Sequence, residues 1–161
     1  MGHEVSQNLH VVEAVERTNE AQKSILVSRV EKHLGGLAGK TIAVWGLAFK
    51  PRTDDMREAP AIAIVEGLLA GGASVKAYDP KAEEQARRVF GDRVCLCGRS
   101  YEAVVDADAL VVVTEWSEFR EPDFAKIRSL MRHPAVFDGR NIYTPEVLRE
   151  LGFHYEGIGR R

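Results

Sequence analysis

Residues 41–45, Thr-Ile-Ala-Val-Trp, make a β-branched, apolar run with no alternation. Such a run suits a parallel strand covered on both faces, because a strand with one wet face would alternate. Gly46 lets the chain leave that strand closely. A polar loop with Lys50, Arg52 and Arg57 follows, and Pro60 then opens an apolar helical pattern. The three cations fall just past the strand's carboxyl end, where open α/β sheets bind ligands. Cations beside a helix N-terminus suit phosphate. Taken alone, the segment also reads as a solvated loop running into a helix cap.

The rest of the chain alternates in the same way. Strands are expected at 41–46, 74–78, 93–96, 109–113 and 135–138, with a weaker one at 153–157. Helices fit 60–71, 81–90, 100–105, 123–131 and 145–151. Pro60 and Pro145 suit first-turn positions, where a missing N–H costs nothing. The alternation implies an α/β fold, a Rossmann-like doubly wound parallel sheet with helices on both faces.

Ahead of the sheet, residues 6–34 read as one long helix. Val11, Val15, Thr18, Ala21, Ile25 and Val30 recur at three- to five-residue steps, and Gly35 and Gly36 end it as a left-handed cap requires. Such an apolar stripe needs a partner. Either it folds back on its own sheet or it pairs with another helix. The boundary between helix and sheet falls between Gly35 and Lys40.

At 161 residues the chain is about one domain long. Its 45% hydrophobic and 29% charged content are ordinary for a globular protein, and a net charge of −2 leaves no basic footprint for nucleic acid. No apolar run approaches the roughly 20 residues that span a bilayer, so no membrane role is expected. No secretory signal is visible, and two cysteines suggest no disulfide scaffold; a reducing cytoplasm is the default location. Cys95 and Cys97 lack the further ligands that zinc requires, so no metal is expected.

Residues 46–60, GLAFKPRTDDMREAP, closely resemble the signature opening the C-terminal domain in the UDP-glucose/GDP-mannose dehydrogenase family. YDP at 78–80, VVVTEWSEFREPDF at 111–124, VFDGRNIY at 136–143 and YEGIGR at 155–160 follow in family order. VVEAVERTNEAQK at 11–23 looks like the family's central helix. The resemblance covers nearly the whole chain. It implies that residues 1–36 are the C-terminal part of a central dimerisation helix and 37–161 a C-terminal Rossmann-like UDP-binding domain.

The full family enzyme resembles two Rossmann-like domains joined by a helical middle. Neither its N-terminal G-x-G-x-x-G turn nor its cysteine nucleophile is found here, so the chain is expected to be the C-terminal domain, with no catalytic residue of its own and inactive alone. The reaction implied for the whole enzyme is oxidation of UDP-glucose to UDP-glucuronate by two NAD, with NAD held mainly by the other domain. UDP-N-acetylmannosamine and GDP-mannose oxidation are alternatives within the family, and a non-catalytic nucleotide-binding or dimerisation module is an alternative outside it.

The resemblance also assigns residues. The family lysine matching Lys50 contacts the UDP-sugar, and the residue matching Phe49 belongs to the same pocket wall. Arg140, in FDGRN, corresponds to an arginine at the UDP site, where a planar fork of donors grips phosphate or ribose. Arg57 corresponds to an arginine near the NAD bound by the other domain. Arg52 departs from the small polar residue usual there and adds only positive potential. Asp54 and Asp55 are expected to cap the helix or hold an arginine rather than act as a base. Asp79 stands where a dinucleotide-binding domain holds ribose, but no second glycine follows Gly46, so a capping role before Pro80 is the better reading. Asp138 reads as a turn former, Gly139 as a close approach, and Trp116 as packing on the cleft wall.

Overall fold

A computed structural model describes residues 2–159 and, before Lys23, the surroundings of only some side chains. Six parallel strands form one sheet: β1 (Thr41–Trp45), β2 (Ser74–Tyr78), β3 (Val94–Leu96), β4 (Ala109–Val112), β5 (Ala135–Asp138) and β6 (His154–Gly157). Their order is β3-β2-β1-β4-β5-β6, which reverses direction between β1 and β4. The helices are α1 (Gly2–Leu34), α2 (Pro60–Ala70), α3 (Glu83–Phe90), α4 (Ser100–Val104), α5 (Phe124–Leu130) and α6 (Pro145–Glu150). Every expected strand and helix is present, most within two residues of its expected ends; α1 begins at Gly2 rather than at residue 6.

The burial follows from strand position. β4 and β5 are buried throughout, and only Thr41 of β1 is less than fully covered, which explains their unbroken apolar sequences. β2 and β6 alternate between buried and more open residues. Trp45, Phe119 and Phe137 are among the largest fully buried side chains, with Trp45 stacked on Phe119 at 4.9 Å between ring centroids.

Helix α1 divides the expected stripe in two. Its last turns dock on α2 and β5 through Leu26 and Val30, both buried, with Val27 and Leu34 half-buried beside them. Of the positions singled out from the sequence, Val30 belongs to that seam, Ile25 is half-buried, Ala21 is exposed, and Val11 is 62% exposed. Val12 is exposed as well. Val15 and Thr18 lie outside the described side chains, and Arg160, the last residue of YEGIGR, outside the described residues. The helix closes as expected: Gly35 has φ 70°, and the Gly36 N–H donates to the Glu31 carbonyl at 2.9 Å. Among the described residues no helix is long and apolar enough to cross a membrane.

Candidate functional site

The loop after β1 is folded onto the loop after β4 through a tight crossing. Gly46 has φ 91°, and a Cβ there would lie 2.5 Å from the Thr114 Cβ and 2.6 Å from the Thr114 nitrogen. Only glycine fits such a crossing. The buried Thr114 hydroxyl donates to the Ala48 carbonyl at 2.7 Å, tying the two loops together.

Asp79, at the end of β2, is the anchor beneath them. Its Oδ2 accepts from the N–H groups of Leu47 and Ala48 at 2.7 and 3.0 Å and from the Trp116 indole at 3.0 Å. Its Oδ1 accepts from the Lys81 and Ala82 N–H groups, both at 2.9 Å. Five donors saturate this buried carboxylate. Asp79 thus ties down the turn just ahead of α3 rather than capping the helix, whose N-cap, Ala82, has no side-chain bond, and its reach is wider than the sequence implied. It also decides a chemical question. The acid that would hold a ribose in a dinucleotide-binding domain is consumed by its own fold, and the turn after β1 has a threonine packed against it. Asp79 is therefore not a free acceptor for a ribose at this domain's own switch point. Trp116, expected on the cleft wall, is instead buried against Asp79, because its N–H has its acceptor there.

A small open cavity of about 420 Å³ lies beside Asp79 and Pro80, and a larger one lies further along the sheet. A cleft of about 830 Å³ sits over the carboxyl ends of β4, β5 and β6, between α1 and the start of α2. Phe49 and Arg140 both line it, with Lys23 and Leu26 of α1, Glu58, Pro60 and Ile62 around the start of α2, and Ile158 after β6. The structure thus brings Phe49 and Arg140 into one cavity. Lys50 and Arg57 are exposed on the loop beside it, each next in sequence to a lining residue (Phe49 and Glu58).

That loop is built to hold its shape. The Phe49 N–H donates to the Asp55 carbonyl at 2.8 Å, and the Asp55 N–H to the Thr53 hydroxyl at 3.1 Å. Asp55 grips Arg57, with Oδ1 3.0 Å from Nε and Oδ2 2.8 Å from Nη2. The hydrogen bonds from Arg57 lower the Asp55 carboxyl to about 2. Of the two roles open to this acid pair, Asp55 therefore holds the arginine; α2 is capped at Ala59 without a side-chain bond. Arg52 and Glu58 take left-handed backbone conformations, φ 67° and 56°, at the two shoulders of the loop.

Arg140 is set by its own motif. Asp138, fully buried, accepts from the Arg140 N–H at 3.0 Å, the Tyr143 N–H at 3.0 Å and the Tyr155 hydroxyl at 2.9 Å, the turn role expected of it. Gly139 permits the close approach: a Cβ there would meet the Val112 carbonyl at 2.9 Å and the Leu26 side chain at 2.8 Å. Asn141, at φ 54°, exchanges two hydrogen bonds with the Ile158 backbone and closes the cleft's far side.

Two residues of this site escaped the sequence reading. Lys23 was read only as part of a helix, yet it contributes to the cleft wall. Glu115 was read only as part of the motif at 111–124, yet it forms a two-bond ion pair with Arg140, Nε to Oε2 and Nη2 to Oε1, the latter at 2.9 Å. Arg140 holds the Glu115 carboxyl below its ordinary range. An acid just past one strand end and an arginine just past another were the available signal. Cys95 and Cys97 are free thiols, the first exposed and the second raised to about 11 by burial.

A parallel sheet with a polar-rimmed cleft over its strand ends, a helix start opening onto it and an arginine within it defines a nucleotide- or phosphate-binding α/β domain. Residues 43–145 match the model of the UDP-glucose/GDP-mannose dehydrogenase family, UDP binding domain, and the chain belongs to that family. It is 48% identical over 157 residues to a UDP-glucose 6-dehydrogenase of Pseudomonas aeruginosa, a match covering 93% of this chain and 34% of that protein. Against the Rhizobium meliloti UDP-glucose 6-dehydrogenase it is 44% identical over 153 residues, covering 94% and 35%. Its structure resembles a UDP-glucose dehydrogenase from Pyrobaculum islandicum, with a TM-score of 0.83 at 33% identity, over 99% of this chain and 34% of that one. A UDP-D-ManNAc dehydrogenase from Pyrococcus horikoshii is similar at a TM-score of 0.69 and 32% identity, covering 88% and 31%. The chain spans about a third of the length of the curated relatives it matches.

Proposed function

We propose that this chain supplies the UDP-binding side of an NAD-dependent UDP-glucose 6-dehydrogenase, which oxidises UDP-glucose to UDP-glucuronate. The observation carrying this reading is the meeting of Phe49 and Arg140 in one cleft at the strand ends. In this reading residues 1–36 are the end of a central helix and 37–161 the UDP-binding domain. Phe49 walls the uridine diphosphate, Arg140 grips it through its fork, and Lys50 adds a point charge from the rim. Arg57, on the outer side of the loop, faces NAD held elsewhere in the whole enzyme, and Asp55 keeps its guanidinium aimed. The similarity to a UDP-D-ManNAc dehydrogenase favours that sugar as the second reading.

The test is a titration of this chain with UDP. Half a cleft should bind in the millimolar range, about −4 kcal/mol. Lys50→Ala and Arg140→Ala should each remove about 1.5–3 kcal/mol of charge-assisted contact, abolishing saturation, while Arg57→Ala leaves the UDP curve unchanged. The chain alone should reduce no NAD when given UDP-glucose. Equal losses from Lys50→Ala and Arg57→Ala, or NADH production by the chain alone, would overturn this division of the cleft.

We also propose a homodimer formed through α1. Val11 and Val12 lie about four turns before Leu26 and within about 60° of it around the helix, at 100° per residue. They extend the docked stripe past the domain and are exposed in the single chain. Val11→Glu with Val12→Glu should shift sedimentation equilibrium from dimer to monomer and leave the fold intact. Removing the helix altogether would be a poorer test, since Leu26 and Val30 belong to the core. An unmodified chain that stays monomeric at high micromolar concentration would refute the dimer.

A further inference from the structure

Three consecutive residues after β4 anchor three different parts of the site. Thr114 is bonded to the Ala48 carbonyl, Trp116 to Asp79, and between them Glu115 reaches Arg140. Glu115 therefore stands on backbone fixed from both sides, by side chains that are 1% and 6% exposed. The backbone of Arg140 is fixed in turn by Asp138. Both backbones are thus held, so forming the pair orders only the two side chains, which are 38% and 25% exposed for Arg140 and Glu115.

The geometry of the pair matters as much as its presence. Glu115 takes the Nε edge of the guanidinium, using one hydrogen on Nε and one on Nη2. Nη1 and the second hydrogen of Nη2 form the opposite, end-on fork, and no other hydrogen-bond partner meets the guanidinium among the described residues. An arginine clamped along one edge keeps a two-pronged donor on the other, suited to two oxygens of a phosphate. A free arginine side chain would lose rotamer freedom on binding, and a clamped one has already lost it.

We infer that Glu115 is a positioning residue for the nucleotide. It holds Arg140 along its Nε edge so that the end-on fork is presented to the diphosphate or ribose before the ligand arrives. This rests on the reading of the cleft as a UDP site. It makes a prediction of unexpected sign, because removing a negative charge from an anion site ought by simple attraction to tighten binding. Here loss of the clamp outweighs that attraction.

The test uses UDP titrations followed by NMR on this chain, together with the Arg140 Nε–H resonance. Glu115→Ala should weaken UDP about two- to tenfold, the equivalent of re-ordering one long side chain. Glu115→Gln, which keeps one acceptor, should fall between that variant and the unmodified chain. In an Arg140→Lys background, where no fork remains to be aimed, Glu115→Ala should bring no further loss and, with one negative charge gone, a slight gain in affinity. The Nε–H of Arg140 should be protected from exchange in the unmodified chain, with or without UDP, and lose that protection in Glu115→Ala. Unchanged or tighter UDP binding by Glu115→Ala would overturn the proposal, as would an equal loss in the Arg140→Lys background. If the unmodified chain does not titrate with UDP, the UDP reading fails; the Nε–H protection then separately shows whether the clamp exists.

Discussion

Replacing Asp79 with alanine is expected to destabilise the domain by on the order of 3–5 kcal/mol, the range for breaking a buried, fully partnered charge site. The side chain is 5% exposed and satisfies five donors on three segments: Leu47 and Ala48 after β1, Lys81 and Ala82 before α3, and the Trp116 indole after β4. Alanine leaves all five donors facing a small cavity, and each buried unmet donor costs about 1–3 kcal/mol unless water reaches it. Water admitted there would lower the total, which is why the expected value falls below the simple sum. Asp79→Asn keeps the shape but turns an NH₂ toward some of the same donors, so it should also destabilise, by a smaller amount. Urea denaturation of both variants measures this. A loss under about 1 kcal/mol for Asp79→Ala would mean that the three segments are held together by packing alone. UDP affinity should fall along with stability, because the loop bearing Phe49 and Lys50 starts from the two N–H groups that Asp79 holds.

Gly46→Ala is expected to cost about 2–5 kcal/mol. The left-handed backbone accounts for roughly 1–2 kcal/mol of this, and forcing a methyl into filled space adds a further ~1–3 kcal/mol. The second contribution is unavoidable here because the atoms in the way include backbone: the Thr114 nitrogen lies 2.6 Å from the new Cβ. Thr114 cannot retreat without breaking its bond to Ala48. Gly91→Ala is the control. Its φ is also positive, at 59°, and nothing lies within 4 Å of its Cβ position, so its loss comes from the backbone alone; with ψ −135° that backbone is a glycine conformation other than the left-handed helix, so the comparison isolates the steric part at Gly46 rather than an identical backbone cost. Thermal or urea denaturation of the two variants separates the contributions. Equal losses would show that the crossing of the loops yields to a methyl group.

Much of this molecule was legible along the chain because the governing interactions are local. An unalternating Thr41–Trp45 signals a strand covered on both sides, and β1 is such a strand. Pro60 and Pro145 mark helix starts, and Gly35 with Gly36 a helix end, because φ preferences and missing N–H groups act within one turn. The family resemblance brought out Phe49 and Arg140, which share the cleft, and Lys50 and Arg57, which flank it.

The pairing of elements was not legible in the same way. Glu115 and Arg140 are 25 positions apart, and neither residue announces the other. They meet because β4 and β5 are neighbours in parallel register, with Val112 opposite Asp138, so that the residues just past each strand end project over the same edge. Strand order and register are settled by burial of whole faces, a long-range outcome that no local spacing encodes. Helix α1 makes the same point. The sequence shows apolar residues along its length, but which of them are core depends on where the domain's edge falls, and that edge leaves Leu26 and Val30 buried and Val11 and Val12 exposed. Residue types and turn chemistry, acting over a few neighbours, determined the elements and the candidate chemistry. Tertiary packing alone decided that Asp79 is spent on structure while Arg140, paired with Glu115, lines the cleft.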